Sequence, residues 1–298
     1  MIMHSYLRAI GFSEYTDRSE LERLFSMIID QPTEKKTFHL QNGKYFAEIS
    51  KEFSKDIGIT LRGEVDKDGK FYMEHYYPYS KSHYISTKEE TSIIKRVDTD
   101  AYTGMCDDVR LGVSLIFYLQ NVVEYLSNGK GNEKKGMSWS INLSALSVSG
   151  KILLPLEHNE KLTKSNIADI QYRRQLIAEA KKGNQEAIDS LTIDDIDMYA
   201  MISRRAKYED IYSIVETSFT PYGSESDNYT VLGTIMDIDK NINELTGEEI
   251  FCLLINCNDA ILQITINQKD LYGEPVVGRR FKGNIWLQGN IDFSTTSL

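Results

Sequence analysis

Disulfide chemistry, membrane-spanning segments and the common catalytic signatures are all missing from this chain of 298 residues. Its three cysteines, Cys106, Cys252 and Cys257, are odd in number, and none stands two residues from another, the gap that zinc and redox sites favour. A reducing compartment is expected, and Cys252 and Cys257, inside the apolar run IFCLLINC, read as small buried thiols. The most apolar window, residues 111–126, falls short of the roughly 20 apolar residues a bilayer requires. It also carries Gln120, Asn121 and Glu124, and it reads as a buried helix. The opening MIMHSYLRAIGF has no basic stretch running into a sustained apolar core, so no secretory signal is read there. A cytoplasmic protein without a membrane partner is expected.

Enzyme motifs are equally scarce. The segment GKGNEKKG, residues 129–136, lacks the lysine followed by Ser or Thr that a phosphate loop needs, and neither a GxSxG elbow nor an HExxH helix occurs. The five histidines are scattered, which leaves acid–base chemistry to carboxylates too numerous to single out a pair. A calcium loop starting at Asp66 requires glycine and glutamate at its sixth and twelfth positions, where Phe71 and Tyr77 stand, so Asp66-Lys67-Asp68-Gly69 reads as a hairpin turn. Asp98 and Asp100, with Asp107 and Asp108, read as acidic residues at a helix start rather than as a magnesium site. No cofactor and no metal is implied.

What the chain does have is an ordinary globular balance, 41% hydrophobic and 26% charged, with a net charge of −10. Asp17 and Glu20 pair as a helix N-terminus, and Leu21, Leu24, Phe25 and Ile28 then follow at helical spacing. From Tyr45 the period drops to two through YFAEISKEF, IGITLRGEV and KFYMEHYY, an antiparallel meander that the helix after Asp107 should cover. SWSINLSALSV and KILLPL read as a hairpin turning at Ser149-Gly150. Three helices, QYRRQLIAEAKKG, NQEAIDSL and IDDIDMYAMISRRAKY, are read next, broken at Gly183-Asn184 and again at a cap on Thr192. After Glu209 come five candidate strands, IYSIVETSF, YTVLGTIMDI, EIFCLLINC, AILQITIN and RRFKGNIWLQGNIDF. Gly233, Gly278, Gly283 and Gly289 fall in or beside them, as strongly bent strands require. The expected fold is α+β, with two separately packed cores. An α+β domain with an antiparallel sheet and packed helices occupies 1–160, a helical connector 161–207, and a small β-barrel of the oligonucleotide/oligosaccharide-binding kind 208–298. That barrel places a helix between its third and fourth strands, whereas the helical stretch NQKDLYG follows the fourth strand in this count.

MHSYLRAIGFS at the start, TSFTPYGSESDNYTVLG, and DLYGEPVVGRRFKGNIWLQG near the end together resemble a family of uncharacterised clostridial Firmicutes proteins, carrying a domain of unknown function. The resemblance implies a bacterial protein and brings no catalytic residues with it. Candidate ligand-binding residues therefore come from composition alone. HYYPYSKSHY gathers His75, Tyr77 and His83, which could bind a metal or stack on a ring, or could simply end a strand. Arg280, Lys282 and Trp286 could form a single-strand nucleic-acid track. From Lys207 onward, however, six Lys and Arg face fourteen Asp and Glu, so a polyanion is repelled and the charge argues against nucleic acid as a partner. The favoured function is a non-enzymatic binding or interaction protein with a protein or small-molecule partner. The alternatives are an enzyme with carboxylate, histidine or metal-assisted chemistry in the N-terminal domain, and single-stranded nucleic-acid binding by the C-terminal one.

Overall fold

In the computed structural model, residues 4–40, 43–96, 101–108, 110–129, 139–156 and 182–293 are described, with 172, 175–176 and 179–180. They divide into two compact units, one of residues 1–153 with 218–298 and the other of residues 154–217.

The first unit begins with a 3-10 turn, Ser5–Ile10, followed by helix α1, Arg18–Asp30. The backbone N–H of Asp17 donates to the Glu20 carboxylate at 3.3 Å, which meets one of the donors a helix start leaves open. Strands β1 (Glu34–His39), β2 (Tyr45–Ser54), β3 (Ile57–Val65) and β4 (Phe71–Ser80) then form a four-stranded sheet in sequential order, antiparallel throughout. The expected meander is borne out, with β1 added at its edge. The β3–β4 turn forms as expected. The Asp66 carboxylate accepts from the N–H groups of Asp68 and Lys70, and Gly69 takes a φ of 82° that few other residues tolerate. Period-two alternation gives this sheet two unlike faces. Ile57, Ile59 and Leu61 bury one of them with Leu21, Leu24, Phe25 and Ile28 of α1. The opposite face carries Glu48, Ser50, Thr60 and Arg62.

The second sheet of this unit has ten strands: β5 (Thr91–Lys95), β6 (Tyr102–Asp108), β7 (Val113–Leu119), β8 (Ser140–Leu153), β9 (Ser218–Pro221), β10 (Asn228–Ile242), β11 (Glu249–Cys257), β12 (Ala260–Asn267), β13 (Leu271–Tyr272) and β14 (Arg280–Asp292). β8 pairs antiparallel with β14, β14 with β10, β10 with β11 and β11 with β12, and β12 pairs in parallel with β8. Leu143, Ala145, Val231, Leu253, Ile255, Leu262, Ile264, Phe281 and Leu287 from these five strands share one buried cluster. Gly150 lies beneath the Phe281 ring, where a Cβ would sit 2.5 Å from it. β7 joins the end of β14 in parallel and leads outward to β6 and β5.

The boundary read near residue 207 therefore does not separate two sheets, because β8 and β7 are bonded to strands from the last third of the chain. The buried helix expected over 111–126 is instead strand β7 followed by a short helical turn at Val122–Glu124. A continuous apolar run does not reveal its period, and the aromatic and β-branched content of VSLIFYL decides for strand. Asp107 accordingly lies in a strand and accepts from Ser114 Oγ instead of capping a helix. Ser149-Gly150 is no turn either. β8 runs straight through it, and the irregularity is a register shift against Asn284 and Ile285 of β14. Of the five late strands, four form as expected; from IYSIVETSF only the end enters β9, after a 3-10 turn at Ile211–Ser213.

The second unit is built on helix α2, Gln185–Arg205. Asn184 caps it by accepting from the N–H groups of Glu186 and Ala187, next to Gly183 at φ 84°, so the break expected there is present. The break expected at Thr192 is not. Its hydroxyl donates to the Ile188 carbonyl within one continuous helix. Six of the thirteen residues of QYRRQLIAEAKKG, residues 130–136 of the polar loop, and Asp98 and Asp100 lie outside the described residues. No helix among the described residues is long and apolar enough to cross a membrane.

Candidate functional site

On the face of the first sheet turned away from α1, residues two apart on each strand fall side by side: Glu34 and Lys36 on β1, Glu48 and Ser50 on β2, Thr60 and Arg62 on β3, Tyr77 and Tyr79 on β4. The floor is a buried ion pair. Arg62 is 0% exposed. Its Nε donates to Glu48 Oε1 at 2.8 Å and its Nη2 reaches the same oxygen at 2.7 Å. Nη1 donates to the Tyr118 hydroxyl at 2.7 Å, and Nη2 also lies within reach of the Tyr77 hydroxyl at 3.1 Å and of the carbonyls of Leu119 and Gln120 at 2.9 and 2.7 Å. A guanidinium taken wholly out of water needs this many acceptors to offset its lost hydration. The rings of Tyr77 and Tyr118 add their faces, with centroids 4.6 and 5.1 Å from the guanidinium carbon. Burial pushes the Glu48 carboxyl above its ordinary range against the pull of Arg62, and it raises both tyrosine hydroxyls.

The carbonyls that Arg62 uses are exposed by the end of β7, where the ladder stops and the chain would otherwise leave acceptors unpaired. The next two side chains stitch this corner to β14. Gln120 Nε2 donates to the Ser80 carbonyl and to Gln288 Oε1, and Asn121 exchanges hydrogen bonds with the backbone N–H and C=O of Ile291. Together these groups line a small polar recess with about 40 Å³ of room, open to solvent, with Gln120, Asn121 and Asn290 on one side and Lys81 on the rim. Lys36 is paired with Glu34 and Glu124, and Lys81 with Glu52. In the wall lies Tyr79, 3% exposed, whose hydroxyl has no hydrogen-bond partner among the described residues.

Of the residues singled out in the sequence, Tyr77 lines the recess, and Trp286 and His75 are not part of its lining. The three meet through Tyr118, whose ring is 4.7 Å from that of Tyr77 and 5.2 Å from that of Trp286, and whose hydroxyl is 3.0 Å from His75 Nε2. His83 is elsewhere, largely exposed and 2.9 Å from Asp56. Arg280 and Lys282 sit at the other end of β14, opposite Leu153 and Lys151 of β8, with Arg280 buried. Among the described residues no group of three or more His, Cys, Asp or Glu is placed to hold a metal ion. Arg62 and Glu48 escape a sequence reading, because a charged residue in a period-two strand is normally assigned to the solvent side. The one available signal is that IGITLRGEV puts Arg62 on the face opposite three aliphatic residues without showing that this face is covered too.

The model of the family described as "Domain of unknown function, E. rectale Gene description (DUF3881)" matches residues 7–289, which takes in the whole of the second and third segments that carry the resemblance. No curated protein and no solved structure matches the chain.

Proposed function

The chain belongs to the DUF3881 family, and on that premise we propose that it is a non-enzymatic binding protein that takes a small polar molecule into the recess on the first sheet. The observation that carries this reading is the Tyr79 hydroxyl, buried in the recess wall with nothing to bond to, where almost every neighbouring polar atom is matched within the protein. A buried, unmatched hydroxyl costs about 1–3 kcal/mol, and a ligand oxygen or nitrogen offsets that cost. The recess is much smaller than the pockets of about 300 to 1,000 Å³ that bury drug-sized ligands, so the molecule it takes has only a few heavy atoms.

The five mutually paired strands support a second element of the reading, a closed barrel of oligonucleotide/oligosaccharide-binding connectivity. If β10, β11, β12 and β14 are its first four strands and β8 stands in for the fifth, the single parallel contact falls between the third and fifth, and the short 3-10 turn Gln268–Asp270 falls between the third and fourth. The face such barrels use is already covered here. Gln263 and Thr265 of β12 are hydrogen-bonded to Ser80 and the Lys81 carbonyl, and Ile250 and Cys252 of β11 join the core beneath α1. Trp286, packed against His4 at 4.7 Å, has no open ring for a base. This weighs against nucleic acid. A cytoplasmic place belongs to the same reading and is supported by three free, buried thiols.

The test is amide chemical-shift mapping on the full chain with sugars, amino acids, simple carboxylates and inorganic phosphate added in turn at millimolar concentration. The reading requires at least one of these to shift residues around Ser50, Tyr79 and Gln120. Silence from every probe, or shifts confined to other surfaces, removes it.

A further inference from the structure

The charges around the recess narrow the class of molecule it accepts. Its lining holds two carboxylates, Glu34 and Glu48, and two ammonium groups, Lys36 and Lys81. All four are already engaged in ion pairs. Glu48 lies against Arg62, Lys36 sits between Glu34 and Glu124, and Lys81 is paired with Glu52. A phosphate, a carboxylate or an amine entering this site must give up its hydration without finding a countercharge that is not already engaged, which is strongly unfavourable.

Two buried groups nevertheless keep hydrogen-bonding capacity. The Tyr79 hydroxyl has no partner among the described residues. Glu48 spends Oε1 on Arg62, whereas Oε2 accepts one long bond, 3.3 Å, from the N–H of Val123. One spare donor and one spare acceptor in one small recess match groups that both donate and accept, and a hydroxyl is the common neutral group with that property. Ser50 and Thr60, hydroxyl to hydroxyl at 2.8 Å, extend the same chemistry across the floor. The aromatic edge of Tyr79 lies across Gly58, where a Cβ would come within 2.8 Å of its hydroxyl, so the ring is held in place by backbone rather than by a polar contact.

We propose that the ligand is a small uncharged polyol of about glycerol size, bound through its hydroxyl groups to Tyr79 and Glu48. This rests on the recess being the binding site.

The experiment is isothermal titration and thermal unfolding of the full chain with ethylene glycol, 1,2-propanediol, glycerol, erythritol and D-ribose, set against inorganic phosphate, acetate and glycine. At least one polyol should bind one to one and raise the melting temperature. Tyr79→Phe should weaken that binding about five- to tenfold, the worth of one hydrogen bond, while the unliganded variant melts at the same temperature as the parent or higher. A purely structural tyrosine would give the opposite pattern, with stability lost and affinity kept, and either part of that pattern overturns the assignment. If phosphate, acetate or glycine binds in the recess and no polyol does, the recess stands and the ligand class falls. If none of the eight binds, both fall together.

Discussion

Arg62 shows how one side chain can hold several elements in register: it reaches strands β2 and β4, the end of β7 and the corner after it with six contacts to oxygen. Removing the guanidinium strands Glu48 in a dry environment. Arg62→Met should therefore cost about 3–5 kcal/mol in urea unfolding, and adding Glu48→Leu should recover a good part of that loss, because the cost lies in the unpaired charge rather than in the missing pair. His4 gives a pH-dependent counterpart. Its Nδ1 accepts from the Tyr6 N–H and its ring packs at 4.7 Å on Trp286, and burial lowers its pKa from 6.5 to about 4. The unfolded chain therefore takes up a proton at higher pH than the folded one does. This leaves stability unaffected above about 6.5 and erodes it as the pH falls toward 4, by at most about 1.4 kcal/mol per pH unit. His4→Asn keeps an acceptor for the Tyr6 N–H and carries no titrating proton, so its unfolding free energy should be flatter across that interval. An equally steep decline in the variant would place the proton uptake on another group.

Strand β7 crosses between two neighbours that both yield space to it. A Cβ on Gly104 of β6 would lie 2.1 Å from the Phe117 ring, and one on Gly289 of β14 would lie 2.6 Å from the same ring. Gly104→Ala should destabilise the protein by about 1–3 kcal/mol, and Phe117→Leu should relieve part of that penalty in the double variant, although it is itself destabilising alone. Equal costs for Gly104→Ala in both backgrounds would show that the ring is not what requires the glycine. The spacing of glycines near Gly289 is visible in the sequence; the ring they accommodate is 172 residues earlier and is not. The same limit explains what could be read elsewhere. The capped helix α1 and the meander through Tyr45, Ile57 and Phe71 depend on local period and turn chemistry, and both were legible. Strands β5, β6 and β7 were not, since their partners are remote and a buried apolar run looks alike in strand and helix. The recess was half legible: Tyr77 stands out in an aromatic cluster, whereas Glu48 and Arg62 gain their meaning only when β7 and β14 cover the sheet face that carries them.

At the scale of the whole molecule, the long strand β8 is bonded to β12, β13 and β14, all of which follow the unit formed by residues 154–217. Two segments separated by that unit thus share one sheet. Co-expressed as separate chains, residues 1–153 and 218–298 should purify as one complex in size-exclusion chromatography, and neither should give a cooperative unfolding transition alone. Two fragments that elute apart and melt independently would restore the picture of two self-sufficient halves. The connectivity also governs events on the ribosome. Leu153 is synthesised 127 residues before Arg280, a delay of about 6–25 s at ordinary elongation rates. Until β12 follows from Ala260, late in that interval, β8 has none of the strands β12, β13 and β14 beside it, so the emerging chain carries a sticky, half-made edge, and nascent-chain chaperones become a requirement for good yield rather than an accessory to it.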